Sequence, residues 1–193
     1  RIYYESVGTG PPVVLHHWSF ATLEDWRDYG YVARLQDDYQ VILLDARGHG
    51  RSDKPHEPEQ YALELRVADV VAVLDALDIS TAHFFGYSMG GWVAFGMARY
   101  APHRLRSLVI GGQHPYAQSM EELRQMVRVG IERGPEAFVR QFETDQTRLP
   151  AAHRRRMLAH DYHALLAVAQ DRPDLSAILP TVTVPSVLLV GSE

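Results

Sequence analysis

The stretch Ala82-His83-Phe84-Phe85-Gly86-Tyr87-Ser88-Met89-Gly90-Gly91 decides how the rest of the chain is read. Ala82 to Gly86 is a short apolar run with strand character, and Met89 to Tyr100 has the pattern of a helix. Between them lies Gly86-Tyr87-Ser88-Met89-Gly90, a Gly-x-Ser-x-Gly sequence at a strand-to-helix turn. So sharp a turn forces its central residue into a tight backbone conformation, and only small residues fit two positions to either side. The serine hydroxyl then stands above the sheet at a helix N-terminus, where backbone N–H groups and the helix dipole favour negative charge. Gly91 lets that helix pack close to the sheet. The plainer reading is that Ser88 caps a helix, a common role for serine. Phosphate and dinucleotide readings fail, because the chain has neither G-x-G-x-x-G here nor Gly-Lys-Ser/Thr anywhere.

Outward from this turn, strand and helix signals alternate. Ile2 to Val7 reads as a strand, as does Pro12-Val13-Val14-Leu15-His16 after the turn Gly8 to Pro12. A helix is expected from Thr22, which stands three residues before Asp25 as in a capping box. Val41 to Asp45 is apolar on both faces, the pattern of a buried parallel strand. Ala46 to Gln60, with Gly48, Gly50, Pro55 and Pro58, reads as a long loop, and Ala62 to Leu77 as an amphipathic helix. Leu105 to Gly111 is a further strand. The order predicts an α/β fold, a mostly parallel sheet with helices on both faces.

From Pro115 to about Leu179 the signals are helical only. Ser119 with Glu122 suggests a capping box, Pro135 a first-turn proline, and Pro150 the start of a run to about Gln170. Strand character returns at Pro185 to Gly191. An insertion this long exceeds a simple crossover and predicts an all-helical cap over the carboxyl ends of the strands. The expected division is a core at 1–114, a cap or lid at 115–180, and a resumed core strand at 181–193.

Composition narrows the function classes. The 193 residues carry 19 Lys plus Arg against 24 Asp plus Glu, a net charge of -5, which argues against nucleic acid or an anionic membrane as the partner. No apolar run approaches the roughly 18 residues of a membrane span. Without cysteine there is no disulfide, thiolate metal site or cysteine nucleophile. A cytoplasmic location, no cofactor and no metal are the simplest expectations.

These residues resemble the α/β-hydrolase superfamily. Val13-Val14-Leu15-His16-His17-Trp18 is similar to that family's strand ending in His-Gly-x, its oxyanion loop, with His17 where the family usually has glycine. Asp45-Ala46-Arg47-Gly48-His49-Gly50-Arg51-Ser52 resembles its Asp-x-Arg-Gly-x-Gly-x-Ser loop, and Phe85 to Gly91 its nucleophile turn. Pro185 to Glu193 is similar to the strand preceding its acid. The resemblance implies Ser88 as nucleophile, with the backbone N–H groups of Trp18 and Met89 holding the oxyanion. Asp45, Arg47 and Ser52 would shape loops, and His17, Tyr87 and His114 are candidate pocket residues, His17 more readily a structural one that bonds loop backbone.

The resemblance also implies a triad in the order Ser, Asp or Glu, His. The acid is expected just beyond Glu193 and the base later still, so the chain reads as about three quarters of an enzyme. Gly111-Gly112-Gln113-His114 offers no carboxylate in place of the acid. His153, His160 and His163 are expected on a solvated helix face beside Arg154, Arg155, Arg156 and Asp161. The implied activity is hydrolysis of a small carboxylic ester, thioester or lactone through an acyl-enzyme on Ser88. A cofactor-free perhydrolase or haloperoxidase and a carbon–carbon bond hydrolase are alternatives within the fold. A serine in the nucleophile's place argues against a dehalogenase or epoxide hydrolase, whose nucleophile is aspartate. A non-catalytic small-molecule binder is the alternative from another class. An exposed last strand would make homo-oligomer formation through its edge the expected behaviour of the isolated chain.

Overall fold

The computed structural model describes residues 1–144 and 146–191. Six strands form one sheet: β1 (Tyr4–Val7), β2 (Pro12–His16), β3 (Gln40–Leu44), β4 (Ala82–Tyr87), β5 (Leu105–Gly111) and β6 (Ser186–Leu189). Their spatial order is β1-β3-β2-β4-β5-β6. Only β1 runs antiparallel, with Tyr4 opposite Leu44; every other pairing is parallel.

The central strands read as unbroken apolar runs because both faces are covered. Val14, Ile42, Leu44 and Phe84 face one side, where α3 (Leu63–Ala76) and α4 (Met89–Tyr100) contribute Val67, Val70, Trp92 and Val93. Val13, Leu15, Val41 and Leu43 face the other, against α1 (Leu23–Asp28) and α2 (Tyr31–Leu35), which supply Leu23, Trp26 and Val32. The two-residue alternation of a strand thus fills two separate cores. The helix expected from Thr22 is split in two by Gly30, which sits at φ 79°. Its capping box is present, with the Thr22 N–H donating to Asp25 Oδ2 at 2.8 Å.

Between β5 and β6 lie α5 (Glu121–Arg133), α6 (Pro135–Val139), α7 (Ala151–Leu158) and α8 (Tyr162–Val168). Pro135 occupies the first turn of α6 as the sequence predicts. Two expectations are corrected. The Ser119–Glu122 box does not form: α5 begins at Glu121, and the Ser119 hydroxyl accepts from the Glu121 N–H instead. The run from Pro150 breaks at His160, and Asp161 caps a separate helix, accepting from the N–H groups of His163 and Ala164 at 3.0 Å. A small antiparallel bridge between Gln118 and Arg172 also joins the two ends of the helical segment. Main-chain hydrogen bonds run both ways across it at 2.9 Å.

The helical layer has its own core of Val127, Phe138, Val139, Met157, Tyr162 and Leu165. Phe20, from the loop after β2, inserts among these residues with its ring 4.9 Å from that of Phe138. Strand β6 pairs with β5 but leaves Val187, Leu188 and Leu189 about half exposed, at 51%, 52% and 49%.

Candidate active site

Backbone sterics build the turn at Ser88. The residue sits at φ 52°, ψ -108°, a conformation that L side chains rarely adopt and that costs about 1–3 kcal/mol. Its N–H donates to Gly111 O at 2.8 Å and its carbonyl accepts from Trp92 N–H at 3.0 Å, so both neighbouring elements hold it there. A Cβ on Gly86 would stand 2.0 Å from Gly90 O, and one on Gly90 would stand 2.1 Å from His16 O. No side chain fits at either place. Gly91 brings α4 against β5, where a Cβ would approach Gln113 Cβ to 2.9 Å. Ser88 occupies the N-cap position of α4, yet its hydroxyl caps no backbone N–H. The helix-cap reading is therefore set aside. Ser88 lines a cavity of about 470 Å3 together with Ser19, Phe20, Gln113 and His114.

The loop after β2 is fixed by buried polar contacts. His17 is fully buried; its Nε2 accepts from Ala46 N–H at 3.0 Å and its Nδ1–H donates to Trp18 O at 2.8 Å. Both ring nitrogens are engaged in loop structure, which removes His17 from the pocket candidates. Asp45 accepts from Leu23 N–H at 2.9 Å and from Arg51 N–H at 2.8 Å. Ser52 donates to Asp45 O at 2.5 Å, and Arg47 forms a bidentate pair with Asp69 at 2.5 and 2.6 Å. All three residues shape loops, the role the motif suggests for them.

Tyr87 is corrected as well. Strand alternation sends its ring away from Ser88, into a separate aromatic cavity with Trp18, Trp26, Tyr29 and Tyr31. The Trp18 side chain belongs there too, while the following residues Ser19 and Phe20 line the Ser88 cavity. His114 does line the Ser88 cavity, exposed and stacked on Tyr116 at 5.7 Å. Among the described residues no histidine hydrogen-bonds Ser88 and no Asp or Glu lines its cavity. Ser192 and Glu193 lie outside the described residues.

The histidines of α7 and its end overturn the expectation of a solvated face. His153 is buried, and its Nδ1–H donates to Asp25 Oδ1 at 2.6 Å. Arg156 joins the same carboxylate at 2.8 and 3.1 Å. Burial would raise the Asp25 carboxyl, but hydrogen bonds from His153 and Arg156, with the Thr22 N–H, hold it well below the usual carboxylate range. His160 is buried beside His49, rings 5.6 Å apart, and His49 in turn lies 5.1 Å from His17. Burial lowers His16, His17, His49 and His160; His16 falls to about 3 and His160 to about 4. They are neutral at pH 7. Of His153, His160 and His163, only His163 is at the surface, its ring 5.6 Å from that of His56. Asp25 was legible as a capping residue; its docking role was not, because its partners lie 128 and 131 positions away.

The family model described as alpha/beta hydrolase fold matches residues 11–182. The chain belongs to the alpha/beta hydrolase fold family. This alpha/beta hydrolase is 35% identical over 108 residues to bifunctional epoxide hydrolase 2 of Sus scrofa, covering 56% of the chain and 19% of that protein. To the non-heme chloroperoxidase of Streptomyces lividans it is 41% identical over 116 residues, 57% of the chain and 40% of that enzyme. The matched stretches thus span well under two thirds of these curated relatives. In structure it superposes on the enol-lactonase from Burkholderia xenovorans LB400 with a TM-score of 0.87 at 26% identity, covering 100% of the chain and 78% of the lactonase. No helix among the described residues is long and apolar enough to cross a membrane.

Proposed function

We propose that the protein hydrolyses a carboxylic ester or lactone through an acyl-enzyme on Ser88. The observation that carries this reading is the strained turn at Ser88, a residue that lines a cavity and whose hydroxyl forgoes the helix cap. Strain of this kind persists only where surrounding structure over-determines it, as the two clashing glycine positions do here.

In the proposed sequence a general base takes the hydroxyl proton as Ser88 Oγ attacks the substrate carbonyl carbon. The Met89 N–H, at the first turn of α4, and the Trp18 N–H are the proposed donors to the resulting oxyanion. The first intermediate collapses by expelling the alkoxide, which leaves with the proton. Water then adds to the acyl-serine, and its second collapse releases the carboxylic acid and restores the hydroxyl. The solved enol-lactonase supports an internal ester as substrate. The similarity to a chloroperoxidase favours a second reading of the last step, with hydrogen peroxide replacing water and a peracid leaving instead of the acid.

The test is turnover of p-nitrophenyl butanoate by the full-length protein. Ser88→Ala is expected to lower kcat by at least about a thousandfold with its fold intact, the scale on which a lost nucleophile acts. Wild-type turnover that survives Ser88→Ala would reject the proposal.

A further inference from the structure

Arg172 stands between two cavities. It lines the one that holds Ser88 and also a neighbouring one of about 340 Å3, and Ser19, Met120 and Leu123 are shared between them. Among the described residues lining the Ser88 cavity, Arg172 is the only Asp, Glu, Lys or Arg. Its side chain is 9% exposed. A guanidinium offers five N–H donors, and a buried charge is ordinarily paired. Here it makes one side-chain hydrogen bond, to Gln118 Oε1 at 3.2 Å, and lies over the Trp92 ring at 5.5 Å. No carboxylate pairs with it among the described residues. The adjacent Asp171 is committed to the Met120 N–H and to Arg124, both at 2.8–2.9 Å. Glu64, across the second cavity, is exposed.

The second cavity also holds a further cation beside these two carboxylates. Arg66, also buried and lining the second cavity, is bonded only to the carbonyls of Tyr61 and Val168, at 2.8 and 2.7 Å. Burial lowers both guanidinium groups to about 10, so both remain charged at neutral pH. Fixed at its backbone by the bridge to Gln118, Arg172 lines the same cavity as the serine and has guanidinium N–H groups that no protein group engages among the described residues. A guanidinium fork matches a carboxylate bidentately.

We infer that Arg172 is a specificity residue that binds a carboxylate carried by the substrate, so the preferred substrates are esters or lactones bearing a second, anionic carboxyl group. This rests on Ser88 being the nucleophile of the same cavity. The ester carbonyl lies at Ser88 and the free carboxylate at Arg172, which orients the acyl chain between them. Neutral esters offer the guanidinium no charge-assisted partner, and that difference supplies the discrimination.

Two measurements on the full-length protein separate this inference from the hydrolase reading. The first compares kcat/KM for p-nitrophenyl hydrogen glutarate with that for p-nitrophenyl butanoate. A preference of about ten- to a hundredfold for the anionic ester is expected, as is usual for a charge-assisted hydrogen bond. Arg172→Met is expected to collapse the ratio to near one, and Arg172→Lys, a point charge without the fork, to retain part of it. The second is calorimetric binding of glutarate to the Ser88→Ala protein, which needs no serine chemistry; adding Arg172→Met should abolish it. Removal of an unpaired buried charge should leave the melting temperature of Arg172→Met unchanged or higher. Should that variant melt low, Arg172→Lys and the wild-type ratio decide the matter. Equal turnover of both esters, or glutarate binding that ignores Arg172, overturns the inference and leaves the hydrolase reading standing. Arg172-dependent glutarate binding without turnover of either ester has the opposite meaning.

Discussion

At Ser88 the chain spends stability on geometry. A backbone at φ 52°, ψ -108° suits glycine better than serine. Ser88→Gly is therefore expected to raise unfolding stability by about 1 kcal/mol in urea, while Gly86→Ala, whose methyl would meet a carbonyl oxygen at 2.0 Å, should lower it by more than about 2 kcal/mol. Equal, near-zero effects would mean that the turn is not strained. The Gly-x-Ser-x-Gly pattern made this much legible, since the steric demand is local. Tyr87 and His17 show where local reading fails. Tyr87 is adjacent to the serine, but alternation along β4 sends it to the other cavity. The ring of His17 is taken up by Ala46, 29 positions on. Arg172 carries no motif at all; its significance is a missing partner, and a missing partner has no sequence signature.

Helices and strands were legible in proportion to how far their own periodicity decides them. α4 and β5 run exactly over the predicted Met89–Tyr100 and Leu105–Gly111, because alternation and a helical face are properties of adjacent residues. The helical layer was legible as helical, but its docking was not. Asp25 caps α1 and anchors α7 through His153 and Arg156, so one carboxylate joins the loop after β2 to the layer above it. Breaking a buried pair strands the remaining charge. Asp25→Ala is expected to cost about 3 kcal/mol and to raise amide exchange across α7 more than across α4. A uniform change in exchange would show that Asp25 acts only on global stability.

Over the whole molecule, the buried histidines make the fold acid-labile. His16 ends β2, and His17, His49 and His160 lie on loops and turns between the sheet and the helical layer; burial lowers all four below the ordinary 6.5. A depressed histidine leaves the folded state neutral while the unfolded chain takes up a proton. Stability is therefore full above about pH 6.5 and falls as pH drops toward 4, by up to about 1.4 kcal/mol per pH unit for each such ring. The Asp25 carboxylate acts in a lower window: its stabilisation is intact above about pH 4 and is lost below that. Urea midpoints between pH 7 and 4 should decline steeply, and His160→Gln should flatten the slope by about one proton. A flat profile would show that these rings are not buried neutral. The sheet order and the helical layer place this interface directly beside the Ser88 cavity, with Phe20 lining the cavity and packing into the layer.

The central claim is that Ser88 is an activated nucleophile. Its most direct test is labelling of the full-length protein with a neutral fluorophosphonate, followed by mass mapping of the modified peptide. Stoichiometric phosphonylation of Ser88, absent from Ser88→Ala, is the predicted result. A folded protein that stays unlabelled, or one labelled elsewhere with Ser88 untouched, would contradict it.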